Sequence, residues 1–393
     1  MTRPHIGLGT ITGLGTAGLT RAATPPAAAL ALQAVLNAIA DAGLSPADID
    51  GLIICRSGAA SEQDLGLALQ RTLGLRDLAL LHVLHGEGTS SIQAIQMASL
   101  AVQAGVASHV VCVFADAPIV PGRPAHKSFG RIKSSQGMSG LRYSAGLFGG
   151  AAVFAMAARR HMALFGTLEV HFGAMAIATR EWAIRNPQAL LRTPLSMNDY
   201  LAARWIAEPF RLYDCAMPAN GGIAVVVSAT ERAMDLAQPP VHILGVGQGH
   251  PGTPESRGFE PEVHSGAAQA GKMAFKMAGV GPTDVDICQL YDAFSYLPML
   301  ALEDYGFCAK GESGPFVASG VTAPGGALPV NTGGGHLSGC YLQGMTPVCE
   351  AVIQARGQAG ERQCAKHDVI LVSNEGGRFD HHASLILSPH PKV

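Results

Sequence analysis

The sequence predicts an α/β fold built from two duplicated halves, and three observations support this prediction. Residues 42–50 (AGLSPADID) recur as residues 278–286 (AGVGPTDVD), 236 residues further along the chain. The same offset aligns the apolar segment that begins at His5 with the one that begins at Val241. Strand patterns also alternate with helical patterns in both halves. Such alternation is typical of mostly parallel sheets covered by helices on both faces.

The first half begins with an apolar strand pattern from His5 to Leu19. A helix at about Pro26 to Gly43 follows, and it ends at a glycine, which is a common helix stop signal. A second strand is predicted at residues 51–55. The remaining elements are a helix with apolar residues at Ile92, Ile95, Ala98 and Val102 and strands at residues 110–114 and 223–227.

The second half repeats this order. Its helix at about His264 to Gly279 also ends at a glycine, and its second strand is predicted at residues 287–290. A helix at residues 345–355 and strands at 369–372 and 383–387 complete it. We therefore predict an N-terminal half, residues 1–230, and a C-terminal half, residues 231–393.

An insertion at about residues 118–220 has no counterpart in the second half. We expect it to form a cap beside the core. Its basic cluster consists of Arg123, Lys127, Arg131 and Lys133. A diphosphate or a 3′-phosphate would suit this charge, and a solvated loop is the alternative interpretation.

The composition excludes several classes of function. The 393 residues are 48% hydrophobic and 14% charged, and 27 Lys and Arg against 29 Asp and Glu give a net charge of −2. No basic field is present for nucleic acid. Polar residues interrupt the longest uncharged stretch, so we expect no membrane span. The N-terminal run from His5 to Leu19 is broken by glycines and patterned as a strand, so we expect no signal peptide and a cytoplasmic location. Low charge and 48 glycines predict an apolar surface buried between subunits.

The eight cysteines indicate neither disulfides nor a metal site. They contain no C-x-x-C, and several stand within apolar strand patterns, which favours reduced, buried thiols. Cys364 and His367 form one C-x-x-H without a second pair, which is too little for zinc.

Four segments rich in glycine, serine, tyrosine and histidine stand at predicted strand ends, where open α/β sheets bind ligands. They are residues 86–91, 291–294, 331–344 and 374–382. The motifs YDAF (291–294), LEDYGFCAKGESGPF (302–316) and NTGGGHLSGCY (331–341), with the duplication, resemble the thiolase superfamily over essentially the whole chain. The resemblance is to its sterol-carrier and lipid-transfer branch. It implies a thiolase fold of two βαβαβαββ halves in a layered αβαβα core, a homodimer, and a coenzyme A thioester as substrate with no bound cofactor.

The catalytic positions depart from the thiolase pattern. Gly88 stands where a thiolase has its nucleophilic cysteine, Tyr291 where it has the asparagine of NEAF, and Tyr341 where it has the histidine of GHP. Asn374 or Glu375 replaces the second cysteine. Claisen chemistry requires an acylated thiolate, and glycine has no side chain to acylate.

Tyrosines at these two positions look like those of the thiolase-like aldolases of steroid side-chain degradation. The resemblance implies retro-aldol cleavage of a β-hydroxyacyl-CoA to a ketone or aldehyde and a shortened acyl-CoA. We predict that Tyr291 and Tyr341 are the acid/base pair, in either order. A phenol with an ordinary pKa is a poor base at pH 7, so a helix start at Tyr341, a histidine or a water is expected to assist.

Backbone N–H groups of the glycine turns and of the helix start near Ser90 are expected to hold the thioester oxygen. The predicted substrate-binding residues are Gly88, Ser90, Gly334, Gly335, His336, Gly376 and Gly377. His382 is the predicted third catalytic residue, and a shift of one residue would put His381 in its place.

Two other functions stay open. An acyltransferase would need another nucleophile, Ser90 or Cys340, although Ser90 and Ser91 are expected to cap a helix and Cys340 to be structural. A non-catalytic lipid-binding or scaffold subunit is the second. The resemblance also implies a possible small zinc-ribbon and OB-fold partner subunit.

Overall fold

The computed structural model describes residues 8–57, 65–122, 137–147, 149–252 and 263–393. The strands are β1 Thr10–Thr20, β2 Gly51–Cys55, β3 Leu80–Leu84, β4 His109–Asp116, β5 Trp205–Ala207, β6 Phe210–Arg211, β7 Asn220–Ser228, β8 Val241–Gly249, β9 Ile287–Leu290, β10 Ile370–Gly376 and β11 His381–Ser388. The helices are α1 Ala27–Asp41, α2 Leu65–Leu73, α3 Ser90–Gln103, α4 Gly137–Ser144, α5 Gly149–Phe165, α6 Glu169–Ile184, α7 Met197–Ala202, α8 Thr230–Ala233, α9 Ala267–Ala278, α10 Tyr296–Asp304, α11 Ser313–Ala318 and α12 Met345–Ala355.

The central sheet repeats its topology on either side of one junction. Its strand order is β3-β2-β4-β7-β1-β8-β11-β10-β9. The junction is the contact of β1 with β8, where Thr10 pairs with His242 and Ile11 with Val241. From β1 outward, two antiparallel pairs precede two parallel pairs, and from β8 outward two antiparallel pairs precede one parallel pair. The predicted duplication therefore has a topological counterpart, while the boundary at residues 230/231 stays a prediction.

The prediction of mostly parallel sheets was wrong, because five of the eight strand pairs in this sheet are antiparallel. The pair β10 and β11 shows why. Only residues 377–380 separate these two strands, and so short a connection can join only antiparallel neighbours. The strand β3 was missed, because its side chains are exposed or half-buried and its apolar run is interrupted by His82.

The helices complete an αβαβα layering. The central core contains α3 and α12 together with strand residues of both halves, such as Val225 and Val372. On one outer face α1 covers β1, β4 and β7, and on the other α9 covers β8 and β11. The predicted thiolase-type layering is confirmed.

Helices α5 and α6 of the insertion pack against the second half, while the division into a cap and two halves stays a prediction. Phe154 of α5 and Phe172 of α6 belong to the same core as Leu290 and Tyr296. No helix among the described residues is long and apolar enough to cross a bilayer. The basic cluster Arg123, Lys127, Arg131 and Lys133 lies outside the described residues, as does His5.

Candidate active site

The structure brings Tyr291 and Tyr341 together. Tyr291 directly follows β9, and its backbone N–H donates to the carbonyl of Ser373 on β10 at 2.9 Å. Tyr341 forms a parallel bridge with Pro218. The two phenol oxygens are 2.9 Å apart, which is a hydrogen bond. Tyr341 does not open a helix as expected, because α12 begins only at Met345.

The ring of Tyr291 occupies the space that a side chain at position 88 would need. Gly88 lies in the turn before α3, and a Cβ atom built on it would lie 2.0 Å from the carbonyl oxygen of Glu375. The same atom would lie 2.7 Å from Cε2 and 2.9 Å from Cζ of Tyr291. A nucleophilic side chain at position 88 and a phenol at position 291 therefore exclude each other.

His336 packs against both tyrosine rings. Its ring lies edge-on to Tyr291 and Tyr341, with centroid distances of 4.7 and 5.1 Å. Its Nδ1 accepts from the backbone N–H of Asp292 at 3.2 Å, and its Nε2 lies 2.7 Å from the carbonyl oxygen of Gln343, to which it donates. Both ring nitrogens are thus engaged by protein groups, so the geometry gives His336 a positioning role rather than the expected substrate contact.

Asp292 fixes the turn that leads to Tyr341. Its carboxylate accepts from the backbone N–H groups of His336 at 2.7 Å and Leu337 at 3.3 Å. A Cβ atom on Gly335 would collide with the same carboxylate, which explains the glycine there. The π-helical turn Gly335–Gly339 is therefore anchored to the residue that follows Tyr291. Asp292 was not among the predicted site residues, although its place inside YDAF was a signal.

The glycine turns pack too closely for side chains. Gly334 has φ +92°, and its N–H donates to the carbonyl of Asn331 at 2.8 Å, so that N–H is not available to a substrate as was expected. A Cβ atom on Gly376 would collide with the carbonyl of Gly86, because the end of β10 packs closely against the turn before α3. Gly377, with φ +79°, follows at the strand end.

The expected helix cap at Ser90 or Ser91 was wrong. Ser90 is already the first helical residue of α3, and its hydroxyl accepts from the N–H of Gly86 at 2.7 Å. The hydroxyl of Ser91 accepts from the side-chain amide of Asn374 at 3.0 Å. Both serines are buried and hold the turn in place. Cys340 is buried in the central core, and burial raises the pKa of its thiol to about 12.

Of the two neighbouring histidines, His382 is the buried one. Its Nε2 lies 2.8 Å from the hydroxyl of Ser373 and 3.2 Å from that of Tyr305. Burial lowers the pKa of its imidazole to about 3, so the ring is neutral at pH 7. His381 is half-buried, with its Nδ1 3.1 Å from Nδ1 of His250.

The phenols stand in an apolar and acidic environment. Burial raises the pKa of Tyr341 to about 12, and it raises the pKa of Tyr291 well above its ordinary value. The nearby carboxyl groups of Glu375 and Glu87 raise both values further. The expected assistance, which would lower a phenol pKa, is thus reversed, and both phenols are neutral hydrogen-bond donors at pH 7.

Sequence reasoning considered Glu375 only as a replacement for a cysteine. The structure places it beside Tyr291, buried at the end of β10. A charged residue directly before two glycines at the end of an apolar strand was the available signal.

Comparison with known proteins agrees with these geometric findings. Residues 256–389 match the model of the "Thiolase C-terminal domain-like" family. The chain is 34% identical to a 17-hydroxy-3-oxo-4-pregnene-20-carboxyl-CoA lyase of Mycobacterium tuberculosis, over 94% of this chain and 97% of the relative. It is 34% identical to a steroid side-chain-cleaving aldolase of Thermomonospora curvata, over 94% and 96% of the two chains.

A solved structure described as "Ltp2-ChsH2(DUF35) aldolase" superimposes with a TM-score of 0.87 at 33% identity and covers 98% of both chains. Identity at this level over nearly the full length of the relatives establishes membership and not only a shared fold. The chain therefore belongs to the thiolase superfamily, in its branch of thiolase-like aldolases that act as lyases on coenzyme A thioesters.

Proposed function

We propose that this protein cleaves a β-hydroxyacyl-CoA with a steroid or other branched side chain by a retro-aldol reaction. The products are a ketone or aldehyde and a shortened acyl-CoA. The observation that carries the proposal is the packing of the Tyr291 ring against Gly88, which removes the covalent route and leaves a hydrogen-bonded phenol pair in its place. The named reactions of the relatives support the same choice.

The reaction needs proton transfer and anion stabilisation, but no nucleophile. The β-hydroxyl proton leaves, the electron pair of the O–H bond forms the second bond of the new carbonyl, and the Cα–Cβ pair moves into an enolate of the thioester. Tyr291 and Tyr341 serve the hydroxyl group and the enolate carbon. Backbone N–H groups of the turn at Gly88 and of Gly376 and Gly377 hold the thioester oxygen. His382, neutral and buried, holds the polar network behind them.

No bound cofactor and no metal are part of the proposal, because the proton steps use side chains of the chain itself. The coenzyme A moiety belongs to the substrate. A cytoplasmic location belongs to the same proposal.

A product screen tests this function directly. Purified protein, alone and with a small zinc-ribbon and OB-fold partner subunit, is incubated with β-hydroxyacyl-CoA thioesters, and products are identified by mass spectrometry. We expect a carbonyl product and a shortened acyl-CoA in equal amounts. Tyr291→Phe and Tyr341→Phe should each lower kcat by about 10²–10⁴-fold, the range for a lost acid/base group. Absence of any cleavage would favour the scaffold function instead.

The acyltransferase alternative finds little support in the geometry. Its two candidate nucleophiles, Ser90 and Cys340, are 1% and 7% exposed. The hydroxyl of Ser90 already accepts a backbone hydrogen bond, and the thiol of Cys340 stays protonated at pH 7. Treatment with iodoacetamide should therefore leave turnover unchanged, whereas inactivation that acyl-CoA prevents would favour the acyltransferase.

We propose that two copies pair through β3. This strand is the last in the sheet order on its side, and Leu81 and Val83 on it are exposed, as is Leu67 on α2. An apolar edge strand is a template for pairing with a second chain. Pairing of two β3 edges around a two-fold axis would join both sheets and bury these side chains. A small partner subunit, which the description of the similar aldolase structure suggests, belongs to the same proposal.

A further inference from the structure

Glu375 lies beside Tyr291 on the face of the sheet that packs against α10, and not on the face toward the central core. It is 4% exposed and stands opposite His382 in the antiparallel register of β10 and β11. Residues two apart on a strand point to the same face, so Glu375 shares its face with Ser373, whose hydroxyl contacts His382. The three side chains therefore form one polar group behind Tyr291.

A small cavity borders both this polar group and Tyr291. It has a volume of about 10 Å³, and its lining includes Tyr291, Ser373, Glu375 and His382. This is just enough space for one water molecule. The buried Nδ1 of His382 makes no hydrogen bond within the part of the chain that the structure describes, so it is free to bind such a water.

The carboxyl group of Glu375 has few groups that stabilise its charge. From the described residues it accepts one hydrogen bond, which the backbone N–H of Phe379 donates at 2.8 Å. Burial raises its pKa well above the ordinary value, and the charges of Glu87 and Asp380 raise it further. The titratable groups that face it on the other sides are Tyr291 and the neutral His382. Its charged form is thus a stronger base than an exposed carboxylate.

We propose that Glu375 is the terminal acceptor of the substrate's hydroxyl proton, which reaches it through the two hydrogen-bonded phenols and a water in the cavity beside Tyr291. This inference rests on the proposed retro-aldol function. Glu375 acts through the tyrosines and does not touch the substrate. It explains how two neutral phenols can serve as the base: each passes a proton on and neither has to remain a phenolate.

The relay conserves atoms and charge. The phenol nearer to the substrate takes the hydroxyl proton as it gives its own to the second phenol, which passes one through the water to the Glu375 carboxylate. The negative charge leaves the carboxylate and appears on the enolate as the Cα–Cβ bond breaks. The protons then return along the same path, the enolate carbon is protonated, and the carboxylate is restored.

A pH profile distinguishes this role from a structural one. In the wild type, kcat/KM should rise with pH as Glu375 loses its proton, with an apparent pKa above the ordinary range of glutamate. In Glu375→Gln the amide oxygen still accepts from Phe379, yet the side chain cannot accept a proton. We expect kcat to fall by about 10²–10³-fold and the melting temperature to stay unchanged. The rise of kcat/KM with pH, which is the acid limb of the profile, should be lost between about pH 5 and 9.

Matched variants identify the source of the acid limb. Glu87→Gln removes an exposed carboxylate near the phenols, and Asp116→Asn removes a buried one whose pKa burial raises to about 6. Both should keep the limb. Tyr291→Phe breaks the relay, so its residual activity should lose the limb even if Glu375→Gln does not fold.

Retention of the limb in folded Glu375→Gln or in Tyr291→Phe, or its loss in Asp116→Asn, would overturn the inference. Absence of cleavage by the wild-type protein would instead refute the proposed function, so the two failures are distinguishable.

Discussion

Substitution of Gly88 by alanine tests the contact on which the proposed chemistry depends. The new Cβ atom would lie 2.7 Å from the Tyr291 ring, whereas ordinary contact begins at 3.4 Å. The ring would have to retreat by about 0.7 Å, a shift large enough to disturb the 2.9 Å hydrogen bond between the phenol oxygens. The other neighbour, the Glu375 carbonyl at 2.0 Å, is strand backbone and yields less readily.

Overpacking of this kind costs about 1–3 kcal/mol of folding free energy, and a reacting group displaced by about 1 Å loses about 10²-fold in rate. We therefore expect Gly88→Ala to lower both the melting temperature and kcat in the lyase assay. Gly86→Ala is the matched control, because there the closest atom is the movable end of the Gln93 side chain. A Gly88→Ala protein with kcat within about threefold of the wild type would refute the steric reasoning.

Three further predictions concern stability, positioning and assembly. Burial alone would raise the pKa of Glu303, but hydrogen bonds from His161 and Ser313 outweigh it and lower that pKa to about 2. A carboxyl group with a lowered pKa stabilises the fold at pH values above its unfolded-state pKa, and this contribution is lost as pH falls from about 4.5 to about 2. Acid unfolding followed by circular dichroism should therefore show less pH dependence in Glu303→Gln. Asp292→Asn weakens the hydrogen bonds that the carboxylate accepts from two backbone N–H groups. Steady-state kinetics should show kcat reduced about tenfold with KM nearly unchanged. A change in KM alone would contradict the positioning role. Val83→Lys places a charge on the β3 edge and should shift the protein toward the monomer in sedimentation velocity, whereas Met234→Lys, on an exposed residue of another surface, should not.

The sequence was sufficient for elements with buried apolar cores and clear ends. Gly51–Cys55, Ile287–Leu290 and Met345–Ala355 lie at the predicted residues. Each is bounded by glycine, proline or polar turn residues and buries most of its side chains, so local pattern and tertiary burial agree. Strand direction was not predictable in this way, because period-two patterning is the same in parallel and antiparallel pairs.

The pairing of Tyr291 with Tyr341 was predictable from the resemblance, but the groups that control them were not. The ring nitrogens of His336 are engaged by Asp292 and by the carbonyl of Gln343, and these contacts depend on the positive-φ turn at Gly334 and Gly335. The burial that raises the phenol pKa values comes from several distant segments. Neither effect has a signature in one sequence, because both depend on which segments meet in the folded chain.

One steric contact relates the absence of a nucleophile at position 88 to the presence of the phenol pair. Without a side chain at Gly88 the turn before α3 leaves room for the Tyr291 ring, and the ring brings its hydroxyl within 2.9 Å of Tyr341. The converse also holds, because a cysteine at position 88 would need the space of that ring. Covalent acyl transfer and phenol-mediated cleavage are therefore alternatives for this fold at one pair of positions. A chain that carries glycine at the first and tyrosine at the second has no side chain at position 88 to acylate.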